Sequence, residues 1–186
     1  MKKLIILSSI FSSLFAYSQM AHLVIFNNST KYVYHGQIAA GDFTGSNCAL
    51  TVKNFDPSVV KANLGEELRY EDFKGQMNSS IYPVNMWEIN DGVVPPYTVY
   101  PWDPILSYDM PNITKWAFTE FDLIDPNTGN TAYTGQLQSP AYPCASYPNH
   151  ITTIGLPTNV YMEWIYMTDP IPGNTNTINA VIINDL

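Results

Sequence analysis

The sequence predicts an all-β protein, an antiparallel β-sandwich or flattened barrel of about eight or nine short strands, with one short helix at most. Three observations point there. Beyond residue 20, apolar and polar residues alternate with a period of two, as in half-buried strands rather than helices. The segments are punctuated by Pro, Gly and Asn, which end strands and build turns. No strand-helix-strand rhythm and no internal repeat runs along the chain, which argues against α/β and solenoid architectures.

The first strand is expected from Ala21 to Phe26, stopped by the turn formers Asn27-Asn28-Ser29. Thr30 to Ala39 follows, with Tyr32 and Tyr34 alternating against Val33 and His35, and a third strand lies near Ala49 to Lys53. Between Phe55 and Phe73 the alternation loosens. Asp56-Pro57 suits an N-cap and a first helical position, so the one short helix is expected there, ending near Gly65. Strand character returns at Ile81 to Ile89, where Pro83 argues for an edge or a strand start. Asn90-Asp91-Gly92 then makes a tight turn into Val93-Val94, because Asp-Gly tolerates positive φ.

Pro95 to Pro111 holds five prolines and reads as an extended loop around one short strand at most. The clearest hairpin follows, Lys115 to Ile124 and Thr131 to Gln138 joined through Asp125 to Asn130. In its first arm Thr119, Phe121 and Leu123 share one face and Glu120 and Asp122 the other, so one side is core and one is wet. A proline-rich loop from Ser139 to Pro148 carries Cys144, and strands close the chain at Ile151 to Ile154, Val160 to Met167 and Thr177 to Ile183. The expected core includes Val24, Phe26, Val33, Phe121, Leu123, Met162, Trp164 and Ile182.

Residues 1–18 read as a secretory signal peptide: basic Lys2-Lys3, an apolar run from Leu4 to Phe15, then Ala16-Tyr17-Ser18. The run is shorter than the ~20 residues a spanning helix needs, and no later window is apolar enough, so no transmembrane segment is expected. Cleavage after Ser18 leaves one domain, residues 19–186, of 186 − 18 = 168 residues. The twin-lysine head and the Ser-Gln junction resemble export signals of Gram-negative bacteria. The expected destination is secreted, periplasmic or cell-surface.

Without Lys2 and Lys3 the chain keeps 8 − 2 = 6 basic against 16 acidic residues, a net charge of −10. Such an acidic surface repels phosphate backbones, so nucleic acid is not an expected partner. Cys48 and Cys144 are the only cysteines, and in an oxidising compartment they are expected to pair as a disulfide.

The most suggestive surface is the aromatic stretch around Tyr97, Tyr100, Trp102 and Tyr108, where prolines hold rings rigid at small entropic cost. Such rings suit stacking on sugars or burial against a partner protein. The plainer reading is that they cap the open end of the sandwich. Glu120 and Asp122 share a face, and with Glu163 and Asp169 on or near a later strand they raise a glycosidase-like pair, which needs two carboxyls ~5 to 9 Å apart. A row of acids on a strand is more often its solvated face. Asp125 to Asn130 has the oxygen spacing of a calcium loop but lacks the glycine at position six and the glutamate at twelve, so a turn is expected, with Gly129 left-handed. His22, His35 and His150 share no ligand spacing, and no G-x-S-x-G motif is present, so no metal, cofactor or catalytic residue is assigned. Asn27, Asn28, Asn78 and Asn112 begin glycosylation sequons that turn chemistry explains equally well.

Phe121-Asp122-Leu123-Ile124-Asp125-Pro126 with Gly129, the later Cys144 and the opening Leu23-Val24-Ile25-Phe26-Asn27 resemble aegerolysins. The resemblance implies a small acidic β-sandwich that recognises membrane lipids. This chain is longer, and its proline-rich insert departs from that pattern. The functional expectation is a secreted, non-enzymatic recognition module for a glycan or a protein surface. The alternatives are a secreted hydrolase with glycosidase-like carboxylates and a lipid-recognising protein.

Overall fold

The computed structural model describes residues 23–55, 59–71, 84, 86–92, 95–99, 114–144, 146–155, 158–168 and 177–186. Their twelve strands are β1 (Leu23–Asn27), β2 (Val33–Asp42), β3 (Thr51–Asn54), β4 (Val60–Ala62), β5 (Glu67–Tyr70), β6 (Trp87–Asn90), β7 (Tyr97–Val99), β8 (Thr114–Ile124), β9 (Thr131–Gln138), β10 (His150–Thr153), β11 (Val160–Thr168) and β12 (Thr177–Asp185). They form two sheets packed face to face. The smaller runs β10-β11-β12-β1-β5, the larger β7-β6-β3-β2-β8-β9, with β4 also paired to β2.

The period-two pattern becomes burial directly. On β8, Thr119, Phe121 and Leu123 are buried while Glu120 and Asp122 are half-exposed. All eight expected core residues are buried. The central core gathers Tyr34, Ile38, Trp87, Trp116 and Leu123 from the larger sheet and Leu23, Ile25, Met162 and Trp164 from the smaller. Three of its polar groups are paired: the Tyr34 hydroxyl meets Thr119, Trp164 Nε1 donates to Asn179 Oδ1 at 2.8 Å, and Trp116 Nε1 donates to the Glu71 carbonyl. Burial pushes the Tyr34 hydroxyl far above the usual phenol range, so it stays a neutral hydrogen-bonding group.

One bulge reorganises β8. Its pairing with β2 steps from Ala39–Phe118 to Ala40–Trp116, so Ala117 is an extra residue. Below the step the odd positions face the core. Above it Trp116 does, and Phe118 is left outside with Ala39, Ala117 and Tyr142 in a separate apolar cluster. Another cluster, Val24, Phe26, Ile178, Ala180 and Ile182, lies on the outer face of the smaller sheet.

Among the described residues there is no helix. Where a helix ending near Gly65 was expected, Val60 to Ala62 form β4, antiparallel to Tyr34, His35 and Gly36. Residues 56–58 lie outside the described residues. The β-branched Val60 and the small Ala62 are buried and Lys61 is exposed, an alternation that fits the open flank of β2 and outweighs the local N-cap signal. Gly65 sits at φ 69° in the turn into β5, a strand the sequence pattern did not resolve. The sandwich is not wholly antiparallel either. β1 enters between β5 and β12 and runs parallel to β12, which the intervening chain allows because the two strands need no short connection.

Gly129 is left-handed at φ 72°, its N–H bonded to the Asp125 carbonyl at 2.8 Å, so residues 125–130 are a turn. Gly92 is also left-handed, at φ 77°. The hairpin it opens is longer than two residues, because β6 pairs next with Tyr97–Val99, and Val93-Val94 lie outside the described residues.

The loop after β2 is ordered by Asp42, whose buried carboxylate accepts from the Thr44 hydroxyl (2.6 Å) and N–H (2.7 Å), the Ser46 hydroxyl (2.9 Å) and the Asn47 N–H (2.8 Å). These donors, the Thr44 hydroxyl foremost, pull its pKa down from 3.8 to about 2 against the opposing effect of burial. The loop then delivers Cys48 to Cys144, with Cα atoms 5.0 Å apart, tying the end of β2 to the loop that follows β9. A disulfide is a mark of chains that fold in an oxidising compartment.

Two outcomes follow from this frame. Replacing both cysteines (Cys48→Ser with Cys144→Ser) should lower unfolding free energy by about 4 to 5 kcal/mol in the chain-entropy account for a separation of 96 residues. Denaturant melts of the two proteins measure it, and unchanged midpoints would contradict it. Because folding lowers the Asp42 pKa, its carboxylate stabilises the native state above the ordinary carboxyl range, and that contribution disappears as pH falls from 3.8 through about 2. Between those values the wild type should lose stability more steeply than Asp42→Asn in pH-dependent melts; parallel profiles would remove the assigned role.

Candidate functional site

The outer face of the larger sheet holds a depression of about 620 Å³. The strand registers explain its lining. Thr134 on β9 pairs with Asp122 on β8, which pairs with His35 on β2; two residues along, Gln136 pairs with Glu120 and Glu120 with Gln37. Strand alternation places all six side chains on the outer face, because Tyr34, Phe121 and Leu137 between them point into the core. The result is two cross-strand rows of three polar residues, ~7 Å apart along the strands, with Val59 as a flank.

The acids in this trough are held in place. Gln136 Nε2 donates to Glu120 Oε1 at 3.2 Å, and Lys53 reaches across from β3, 3.6 Å from Glu120 Oε2 and 3.3 Å from Glu88 Oε1. The Thr134 hydroxyl donates to Asp122 Oδ1 at 2.5 Å. Lys61 is exposed opposite His35. Amide, hydroxyl, imidazole and carboxylate groups therefore converge on one open surface, supplying acceptors and donors in alternation.

Two glycines shape the sheet beneath. Gly36 and Gly135 lie on its inner side, and a Cβ on either would come within 2.8 Å of Phe121 atoms. Their bare backbones leave room for the Phe121 ring, which stacks on Tyr34 at 5.5 Å and tilts against Tyr133 at 6.4 Å. The β8 backbone carrying Glu120 and Asp122 is thereby seated on an aromatic layer.

The aromatic stretch singled out in the sequence is met only at its start. Tyr97 begins β7, at the opposite edge of the same sheet, and is described in its backbone alone; Tyr100, Trp102 and Tyr108 lie outside the described residues. Glu120 and Asp122 share a face as the pattern indicates, but Glu163 is not their neighbour. It lies on β11 in the other sheet, between the core residues Met162 and Trp164, and so points to that sheet's far side. There it accepts a hydrogen bond from the Tyr161 hydroxyl at 2.7 Å, and burial together with Glu163 pushes that hydroxyl up to about 12. A cleft between Glu120 and Glu163 is thus not formed, and Asp169 lies outside the described residues.

The trough residues Gln37, Thr134 and Gln136 carried no sequence signal, since only strand pairing brings them beside Glu120 and Asp122. Among the described residues no three His, Cys, Asp or Glu side chains are grouped to hold a metal ion, and no helix is long and apolar enough to cross a membrane. No protein-family model matches the chain, and no curated protein and no solved structure is significantly similar to it. The likeness to aegerolysins remains one of the quoted residues alone.

Replacing Gly36 by alanine should test the seating of the trough. The added methyl would meet the Glu120 carbonyl at 2.6 Å, backbone that cannot swing aside, so a loss of about 1 to 3 kcal/mol is expected in a denaturant melt. An unchanged midpoint would show the sheet to be more accommodating than this packing implies.

Proposed function

We propose that the protein is a secreted, non-enzymatic recognition module and that its ligand is a glycan received by the trough on the larger sheet. The observation that carries this reading is the pair of rows Thr134–Asp122–His35 and Gln136–Glu120–Gln37. A sugar presents hydroxyls that both donate and accept, and it binds where fixed amides and carboxylates meet them in the right order. Glu120 and Asp122 are already oriented by Lys53, Gln136 and Thr134, so little side-chain ordering is left for the ligand to impose. Export by residues 1–18 belongs to the same reading and is consistent with the disulfide.

The whole-molecule charge narrows the ligand. At a net charge of −8 for the full sequence, and −10 by the arithmetic above once residues 1–18 are removed, the surface repels sulfated, sialylated and uronic chains. Neutral glycans are the favoured class. The aromatic stretch of Tyr97, Tyr100, Trp102 and Tyr108 stands beside the trough as the second candidate contact, on its composition alone.

A glycan array probed with residues 19–186 should give hits among neutral oligosaccharides and none among anionic ones. Asp122→Asn and Glu120→Gln should each weaken the best hit about tenfold, the range of one charge-assisted hydrogen bond. A Tyr97→Ala, Tyr100→Ala and Trp102→Ala triple variant separates the loop from the trough; loss there with intact binding in both trough variants would move the site. Cleavage of the bound sugar would replace this reading with the hydrolase one, and co-sedimentation with phosphatidylcholine vesicles without glycan hits would replace it with lipid recognition.

A further inference from the structure

The register row next to the trough, Ala39–Phe118–Gln138, carries an aromatic ring at its centre. Phe118 pairs with Ala39 on one side and with Gln138 on the other, and strand alternation puts its ring on the same outer face as Glu120, two residues along, and Gln136. Over the Phe118 ring comes the loop after β9. Tyr142 lies on the ring of Phe118 and on Gly41, where even a methyl group would meet its hydroxyl at 2.4 Å. Tyr147 packs edge-on against Phe118, with ring centres 5.6 Å apart at 72°, and remains half-buried.

The loop that carries Tyr147 is fixed at three points. The Cys48–Cys144 bridge holds it three residues upstream, the Tyr147 N–H donates to Gln138 Oε1 at 2.9 Å, and the Pro148 carbonyl accepts from the Gln138 N–H at 3.1 Å. A ring on so constrained a backbone offers a rigid apolar surface at small entropic cost. Hydrogen-bonding residues alone orient a sugar. An aromatic ring beside them receives the apolar C–H face that every pyranose also has.

We propose that Tyr147, backed by Phe118, is the stacking wall of the trough, and that the ligand is a neutral oligosaccharide. One ring lies against Tyr147 and the next units run along β8 over Glu120 and Asp122. This inference rests on the glycan reading above. The distance supports a chain of sugars rather than a single ring, since Phe118 to Asp122 spans four residues of strand, ~13 Å.

The test uses residues 19–186 with the disulfide intact and the best neutral oligosaccharide from the array. Tyr147→Ala should weaken binding about tenfold and Tyr147→Phe less than about twofold, because the ring and not the hydroxyl is the contact. Saturation-transfer NMR on the wild type needs no variant, and should show the sugar's C–H protons receiving magnetisation from a tyrosine ring, a signal that Tyr147→Ala removes. Equal binding by Tyr147→Ala, or a transfer signal that survives in it, would overturn the assignment of Tyr147 while leaving the trough in place. A wild type that binds no glycan at all would instead take down the glycan reading, and this inference with it.

Discussion

The pairing of β2 with β8 is the constraint on which the rest of the molecule depends. Ten register partners join these strands, with one extra residue, Ala117, inserted between Phe118 and Trp116. A bulge reverses which side chains face inward, so one strand serves two surfaces. Below it, β8 alternates between the core and the polar trough. Above it, Trp116 enters the core beside Tyr70 and Trp87, while Phe118, the last residue below it, keeps the outward alternation of Glu120 and founds the cluster that Tyr142 and Tyr147 cover. Without the extra residue the alternation of one half or the other would be inverted, placing Trp116 outside or the acids inside.

The apolar core and the polar trough thereby lie on opposite faces of the same sheet. The inner face carries the large apolar residues, where burial of each contributes on the order of 1.5 to 3 kcal/mol. The outer-face ion pairs of Lys53 with Glu88 and Glu120 are partly exposed, and such pairs contribute little to folding. Their consequence is geometric. They hold two carboxylates in fixed positions on a surface whose substitution leaves the core untouched, which is the condition under which a sheet face can be specialised for a ligand.

The disulfide acts at a different level. It joins the Asp42-organised loop to the loop after β9, and so fixes the end of the larger sheet where the bulge has exposed aromatic rings to be covered. Tyr142 fills the space above Gly41, and the chain then crosses to the smaller sheet, where the Asn149 carbonyl accepts from the Trp164 N–H at 2.7 Å. The covalent link, the seat of Tyr142 on Gly41 and the hydrogen bonds made at Tyr147, Pro148 and Asn149 thus hold the loop that bears Tyr147.

The sequence by itself determined which residues face inward, where the β8–β9 hairpin turns, that Gly129 is left-handed, and which two cysteines meet. Each of these is local, or has a single possible partner. Alternation sets the face of a residue whatever strand lies alongside, a Gly in a six-residue turn answers only to its own φ, and two cysteines allow one pairing. Only the tertiary structure decided which strands are neighbours. Val60 to Ala62 became a strand because β2 had an open flank, β1 ran parallel to β12 because the two sheet positions lay free, and Glu163 was carried to the far side of the other sheet from Glu120. Thr134, Gln136 and Gln37 were brought into one surface, and Tyr147 beside it, by partners up to about a hundred residues distant. Backbone hydrogen bonds are the same for every strand, so no local pattern names the strand that will accept them.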